Sequence, residues 1–94
     1  MEPIKPLSDF FAAIKKDGRI GITHIGIYAA LLQHWQENDC ANPLCAYSHE
    51  IMRIAKISGS NTYHKSVRDL HAFGYIRYEP SFKRNQRSKV YLQV

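Results

Sequence analysis

At Gly74 the hydrophobic period of this chain switches from that of a helix to that of a strand. Before it, Tyr63, Val67, Leu70 and Phe73 recur at spacings of four, three and three, one face of a helix. Gly74 stops that helix, because glycine tolerates the left-handed conformation in which helices end. After it, Tyr75 to Glu79 alternates, Pro80 to Arg87 is polar and basic, and Ser88 to Val94 alternates again. Two alternating segments joined in this way predict a β-hairpin. The C-terminal third of the chain is therefore a helix that runs straight into a hairpin.

The rest of the chain reads as helices with one short strand. Met1 to Pro6 is expected to be an extended arm, since two close prolines oppose a helix. Ser8 is the expected cap of a helix through Phe11, Ala12, Ile14 and Lys16, stopped by Asp17-Gly18. Thr23 is the expected cap of the longest helix, in which Ile27, Ala30, Leu31, His34 and Trp35 share a face and Asn38-Asp39 end it. Apolar residues cover much of its circumference, which makes it the expected core helix. Asn42-Pro43 predicts a turn and Leu44 to Tyr47 a short strand. Ser48 is expected to cap a brief helix carrying Ile51, Met52, Ile54 and Ala55. Ile57-Ser58-Gly59-Ser60 interrupts it, with Gly59 available for positive φ, and Ser60 or Asn61 caps the helix that follows.

With 94 residues, 45% of them hydrophobic, the chain suits one domain with one core and is too short for two. No apolar run approaches the roughly 18 residues of a membrane span, and Glu2 and Pro3 do not resemble the start of a signal peptide. A cytoplasmic location is the expectation. Charge separates the two halves. Residues 1–47 hold four bases and five acids, whereas residues 48–94 hold nine bases and three acids, within an overall net charge of +5. That asymmetry points to a polyanionic partner facing the C-terminal half, most simply nucleic acid.

The order helix, helix, short strand, helix, turn, helix, strand, basic loop, strand resembles a winged helix-turn-helix over about residues 20–93. The tract GSNTYHKSVRDLHAFGYIRYEPSF, followed by SKVYL, is similar to the recognition helix and wing of small bacterial winged-helix proteins. It looks most like short proteins of bacterial mobile elements that act as transcriptional regulators or conjugation-associated factors. The resemblance implies an α+β fold of four helices, a short strand and a C-terminal two-stranded wing. Residues 48–73 would be the helix-turn-helix and residues 75–94 the wing. It also implies binding to double-stranded DNA and no catalytic activity.

A recognition helix needs polar side chains on one face and apolar ones opposite. With the apolar face inward, Ser60, Asn61, Thr62, His64, Lys65 and Arg68 project outward near the N-terminal end, where such helices meet bases. Arg68 or Lys65 suits guanine O6 and N7, and Asn61 suits adenine N6 and N7. Ser60 and Thr62 suit phosphates at the positive end of the helix dipole. His64 is open to phosphate or base, whatever its protonation state. Arg53 and Lys56, before the turn, are candidate phosphate anchors. In the wing, Lys83, Arg84, Arg87 and Lys89 put four cations within seven positions, suited to a backbone or a minor groove. Tyr78 and Tyr91 read as packing residues, and Phe82 as one folded back on the hairpin.

Other chemistries find less support. Cys40, Cys45 and His49 give C-x4-C-x3-H, with His24 or His34 as a fourth zinc ligand, but paired CxxC motifs are missing. Cys45 reads as an inward packing residue, and no disulfide or cofactor is expected. No nucleophile triad, phosphate-binding glycine loop or carboxylate pair stands out, and Asp69 reads as a surface ion-pair partner. Two rivals to DNA binding remain. One is a protein-interaction module that docks through its first two helices; the other is double-stranded RNA binding. The helix at Ser8 to Lys16, with Phe10, Phe11 and Ile14, either forms a homodimer surface or completes the core of a monomer, the second being preferred.

Overall fold

The longest run of helix-forming residues with apolar side chains on most sides becomes the axis of the core. In the computed structural model, which describes residues 5–80 and 87–92, this is α2, Ile22–Glu37. Ile27, Tyr28, Ala30, Leu31, Leu32, His34 and Trp35 are all buried along it. Around it lie α1 (Lys5–Ala13), α3 (Ser48–Ala55) and α4 (Ser60–Ala72), with strands β1 (Leu44–Ala46), β2 (Ile76–Glu79) and β3 (Ser88–Leu92). The result is an α+β fold whose four helices precede a C-terminal hairpin, a winged-helix-like arrangement. Among the described residues no helix is long and apolar enough to cross a membrane.

The three strands form one antiparallel sheet in the order β1-β3-β2. The hairpin pairs Ile76 with Leu92 and Tyr78 with Val90, and β1 pairs Leu44 with Val90 and Ala46 with Ser88. Ile76, Val90, Leu92, Leu44 and Ala46 are buried and join Ile51, Tyr63, Val67 and Leu70 in the core. Asn42 extends the β1–β3 ladder with its side chain: Nδ2 donates to the Leu92 carbonyl at 3.0 Å, and Oδ1 accepts from the Leu92 N–H at 3.1 Å. The Asn42-Pro43 peptide is cis, in the expected turn. On the far edge, the Tyr78 N–H donates to His71 Nδ1 at 3.0 Å, so a helix side chain occupies a site that another strand would use.

Several expected boundaries shift for local reasons. The arm does not reach Pro6. Helix α1 starts at Lys5, and Pro6 sits in its first turn, where a missing N–H removes no helical bond. Ser8 therefore lies inside α1, and the helix ends at Ala13 rather than Lys16. The N-cap of α2 is Gly21, two residues before Thr23, and the Gly21 N–H donates to His24 Nδ1 at 2.9 Å. Helices α3 and α4 are capped by Tyr47 and Gly59, one residue ahead of Ser48 and Ser60. Cys45 does not pack inward. Strand alternation gives the inner face to Leu44 and Ala46 and leaves Cys45 exposed.

Helix α1 completes the core through Phe10. Its ring stacks on Tyr28 at 3.9 Å and meets Tyr75 edge-on at 5.4 Å. Phe11, the next residue, points away and is 46% exposed. Beyond α1 the chain is clamped to the α4–β2 corner. Asp17 accepts from the Arg19 guanidinium at 2.8 and 2.9 Å and from the Tyr75 hydroxyl at 2.6 Å. The Arg19 guanidinium in turn lies 3.9 Å from the centre of the Phe73 ring. These bonds, led by those from Arg19, hold the Asp17 carboxyl well below the usual carboxylate range.

Candidate nucleic-acid interface

The angle between α3 and α4 depends on how α3 ends. Lys56 adopts φ 62°, ψ 39°, the left-handed conformation, and the Ile57 N–H returns to the Met52 carbonyl at 2.9 Å. Helix α4 ends in the same way. Gly74 has φ 87°, and the Tyr75 N–H returns to the Leu70 carbonyl at 2.9 Å. The expectation for Gly59 is thus corrected: Gly59 has φ −91°, and the residue that turns the chain is Lys56. A lysine there carries a Cβ that glycine lacks, at a cost of about 1 kcal/mol.

On α4, Tyr63, Ser66, Val67 and Leu70 face the core, while Ser60, Asn61, Thr62, Lys65 and Arg68 are exposed. Phe73 is half-buried beneath Arg19 rather than continuing the buried row. His64 is also half-buried. Its ring meets Tyr63 edge-on at 5.3 Å, and its Nδ1 lies 2.8 Å from the Ser60 carbonyl oxygen. The one carboxylate of α4, Asp69, is turned away to α2, where His24 Nε2 donates to it at 2.9 Å. The outer face of α4 is left with cations and neutral polar groups.

The arginines divide into two sets. Arg19 is on Asp17, Arg77 is on Glu79 at 2.9 Å, and Arg87 is on Glu50 at 3.4 Å. Arg53 on α3, Lys56 at its C-terminal end, and Lys65 and Arg68 on α4 are exposed and form no ion pair among the described residues. Surface cations without a partner carry no desolvation debt to an existing bond, so a phosphate can take them at full value.

The wing enters through its root. Arg87 lies 4.7 Å over the Tyr47 ring, and His49 stacks on that ring at 5.3 Å. Glu50 joins three parts of the fold here. It accepts the Tyr47 N–H at 2.8 Å, meets Arg87, and lies 3.7 Å from His34 Nε2 on α2. The Tyr47 N–H foremost, and then Arg87, hold the Glu50 carboxyl below its ordinary value. Lys89 is exposed on β3, opposite Cys45 on one side and Glu79 on the other. Lys83 and Arg84, like Phe82, lie outside the described residues. Tyr78 is partly buried against the core, and Tyr91 is half-buried with the Arg77 guanidinium 5.0 Å from its ring centre.

Cys40, Cys45 and His49 are all exposed, and among the described residues no group of three or more histidine, cysteine or acidic side chains is arranged to hold a metal ion. Three positioning links lay outside the sequence expectations: Glu50 to Tyr47, His24 to Asp69 and Asn42 to Leu92. Glu50 lies two residues after the expected cap Ser48, and its capping-box spacing holds only from the actual cap Tyr47. The His24–Asp69 and Asn42–Leu92 links join positions 45 and 50 residues apart and leave no local trace. In comparisons with family models, curated proteins and solved structures, nothing matches this chain.

Proposed function

We propose that this chain binds double-stranded DNA, with α4 in the major groove, the basic hairpin on the adjacent backbone or minor groove, and Arg53 and Lys56 on phosphates. The supporting observation is the unpaired cationic face of α3 and α4, from which Asp69 is withdrawn by His24. A groove about 12 Å wide admits one helix, and its walls are phosphates that such a face would meet. With no catalytic constellation in view, the protein would act by occupancy, as a transcriptional regulator or as an accessory at a mobile-element recombination or replication site.

The test compares two pairs of cations. Replacing Lys65 and Arg68 together by alanine should reduce the slope of log affinity against log salt by about 2, one for each phosphate-directed charge lost. Replacing Lys15 and Lys16, which follow α1, should leave the slope unchanged. Equal effects from the two pairs would reduce the interaction to net charge and overturn the placement of α4. A second reading, docking to a protein through the first two helices, is favoured by the exposure of Ile22 (87%) and Phe11 (46%). It predicts no duplex affinity at all.

A further inference from the structure

Four of the five histidines have neighbours that decide where the proton sits, and among these His64 stands apart. A neutral imidazole has one N–H donor and one bare acceptor nitrogen, and its neighbours decide which is which. His24 Nδ1 receives the Gly21 N–H at 2.9 Å, so its proton is on Nε2, which donates to Asp69 at 2.9 Å. His71 Nδ1 receives the Tyr78 N–H at 3.0 Å, which again puts the proton on Nε2. His34 follows the same pattern, with Nε2 facing Glu50 at 3.7 Å and Nδ1 facing the Asn38 amide nitrogen at 3.4 Å. His64 is reversed. Its Nδ1 lies 2.8 Å from the Ser60 carbonyl, which can only accept, so Nδ1 carries a proton and, in the neutral ring, Nε2 is the acceptor. That Nε2 makes no hydrogen bond among the described residues.

We infer that His64 is a specificity-determining residue, whose Nε2 accepts a hydrogen bond from an exocyclic amino group in the major groove, adenine N6 or cytosine N4. The inference rests on the DNA-binding reading above and adds to it. Lys65 and Arg68 offer only donors, suited to phosphate oxygens and to guanine O6 and N7. A neutral His64 offers the opposite, a lone pair, and gains nothing from a phosphate oxygen, guanine O6 or N7, or thymine O4. The donors on the major-groove edges are the adenine and cytosine amino groups. Of the two partners open to His64 from sequence, phosphate and base, the neutral ring with its proton on Nδ1 selects the base and narrows it to an amino-bearing one. The carbonyl that sets the tautomer belongs to the first residue of the same helix, so the ring and its proton are fixed before DNA arrives.

The experiment has two arms, both at about pH 8, where an ordinary histidine is neutral. In the free protein, nitrogen-15 NMR of the imidazoles should give His64 with Nδ1 protonated and His24 and His71 with Nε2 protonated. The second arm selects sites from a randomised duplex library with the native chain and with His64→Ala. One position that demands adenine or cytosine should lose that demand in the variant, and only there. Replacing the selected adenine by purine, or the cytosine by 2-pyrimidinone, removes the amino group. This should weaken the native chain at least about fivefold and leave His64→Ala unaffected. An Nε2-protonated His64, or equal effects of the base change on both proteins, would overturn the inference while leaving DNA binding intact. Failure to bind any duplex would overturn both, and the NMR arm would then report on the tautomer alone.

Discussion

Lys56 is the residue at which structure and proposed function pull apart. It occupies the left-handed position that glycine occupies at the equivalent end of α4, and it is one of the unpaired cations. Lys56→Gly should therefore raise stability by about 0.5 to 1 kcal/mol in urea denaturation, by relieving the Cβ contact. The same change should weaken DNA binding, because the side chain is removed. A variant both less stable and unchanged in affinity would contradict both assignments. The sequence around it was misleading for a simple physical reason. Gly59 is the nearest glycine and the expected turn residue, but the Ile57 N–H closes α3 one turn earlier, on Met52.

Among the elements, the short strand β1 depends on one side chain outside it. Three residues make a weak strand, and Asn42 adds a further rung by bonding both polar groups of Leu92. Asn42→Ala should cost about 1 to 2 kcal/mol by denaturant unfolding, the value of two ordinary hydrogen bonds. Asn61→Ala, on the exposed face of α4, should stay within about 0.5 kcal/mol. Similar losses at both positions would remove the special role of the Asn42 rung. Periodicity was enough to locate the helices and the hairpin. Tyr63, Val67 and Leu70 on α4, and Ile76, Val90 and Leu92 on the strands, are buried as their spacing predicts. The caps moved by one or two residues, to Gly21, whose N–H donates to His24 Nδ1, to Tyr47, whose N–H donates to Glu50, and to Gly59. That β1 pairs with β3 was not legible, since a three-residue strand has too little pattern to choose its neighbour.

For the molecule as a whole, two carboxylates tie distant segments together and make its stability depend on pH. Asp17 is held low by Arg19 and then by Tyr75, and Glu50 by the Tyr47 N–H and then by Arg87. A carboxyl depressed in the folded state binds its proton more readily when unfolded. The stability it contributes is therefore complete above the ordinary carboxylate range, near pH 4, and is lost as pH falls through the folded value. Denaturation at pH 7 and at about pH 3 should show a large drop for the native chain and a smaller one for Asp17→Asn and Glu50→Gln. An identical drop in all three would place the acid sensitivity elsewhere.

The charge asymmetry that first pointed to a polyanion survives folding in the exposed cations Arg53, Lys56, Lys65 and Arg68, which form no ion pair among the described residues. The measurement that tests this most directly is a fluorescence-anisotropy titration of a random-sequence DNA duplex at two salt concentrations, beside matched RNA duplex and single-stranded DNA. The account predicts binding to the DNA duplex that weakens steeply with salt and exceeds binding to either control. No binding to the DNA duplex at low salt, or a preference for the RNA duplex, would contradict it.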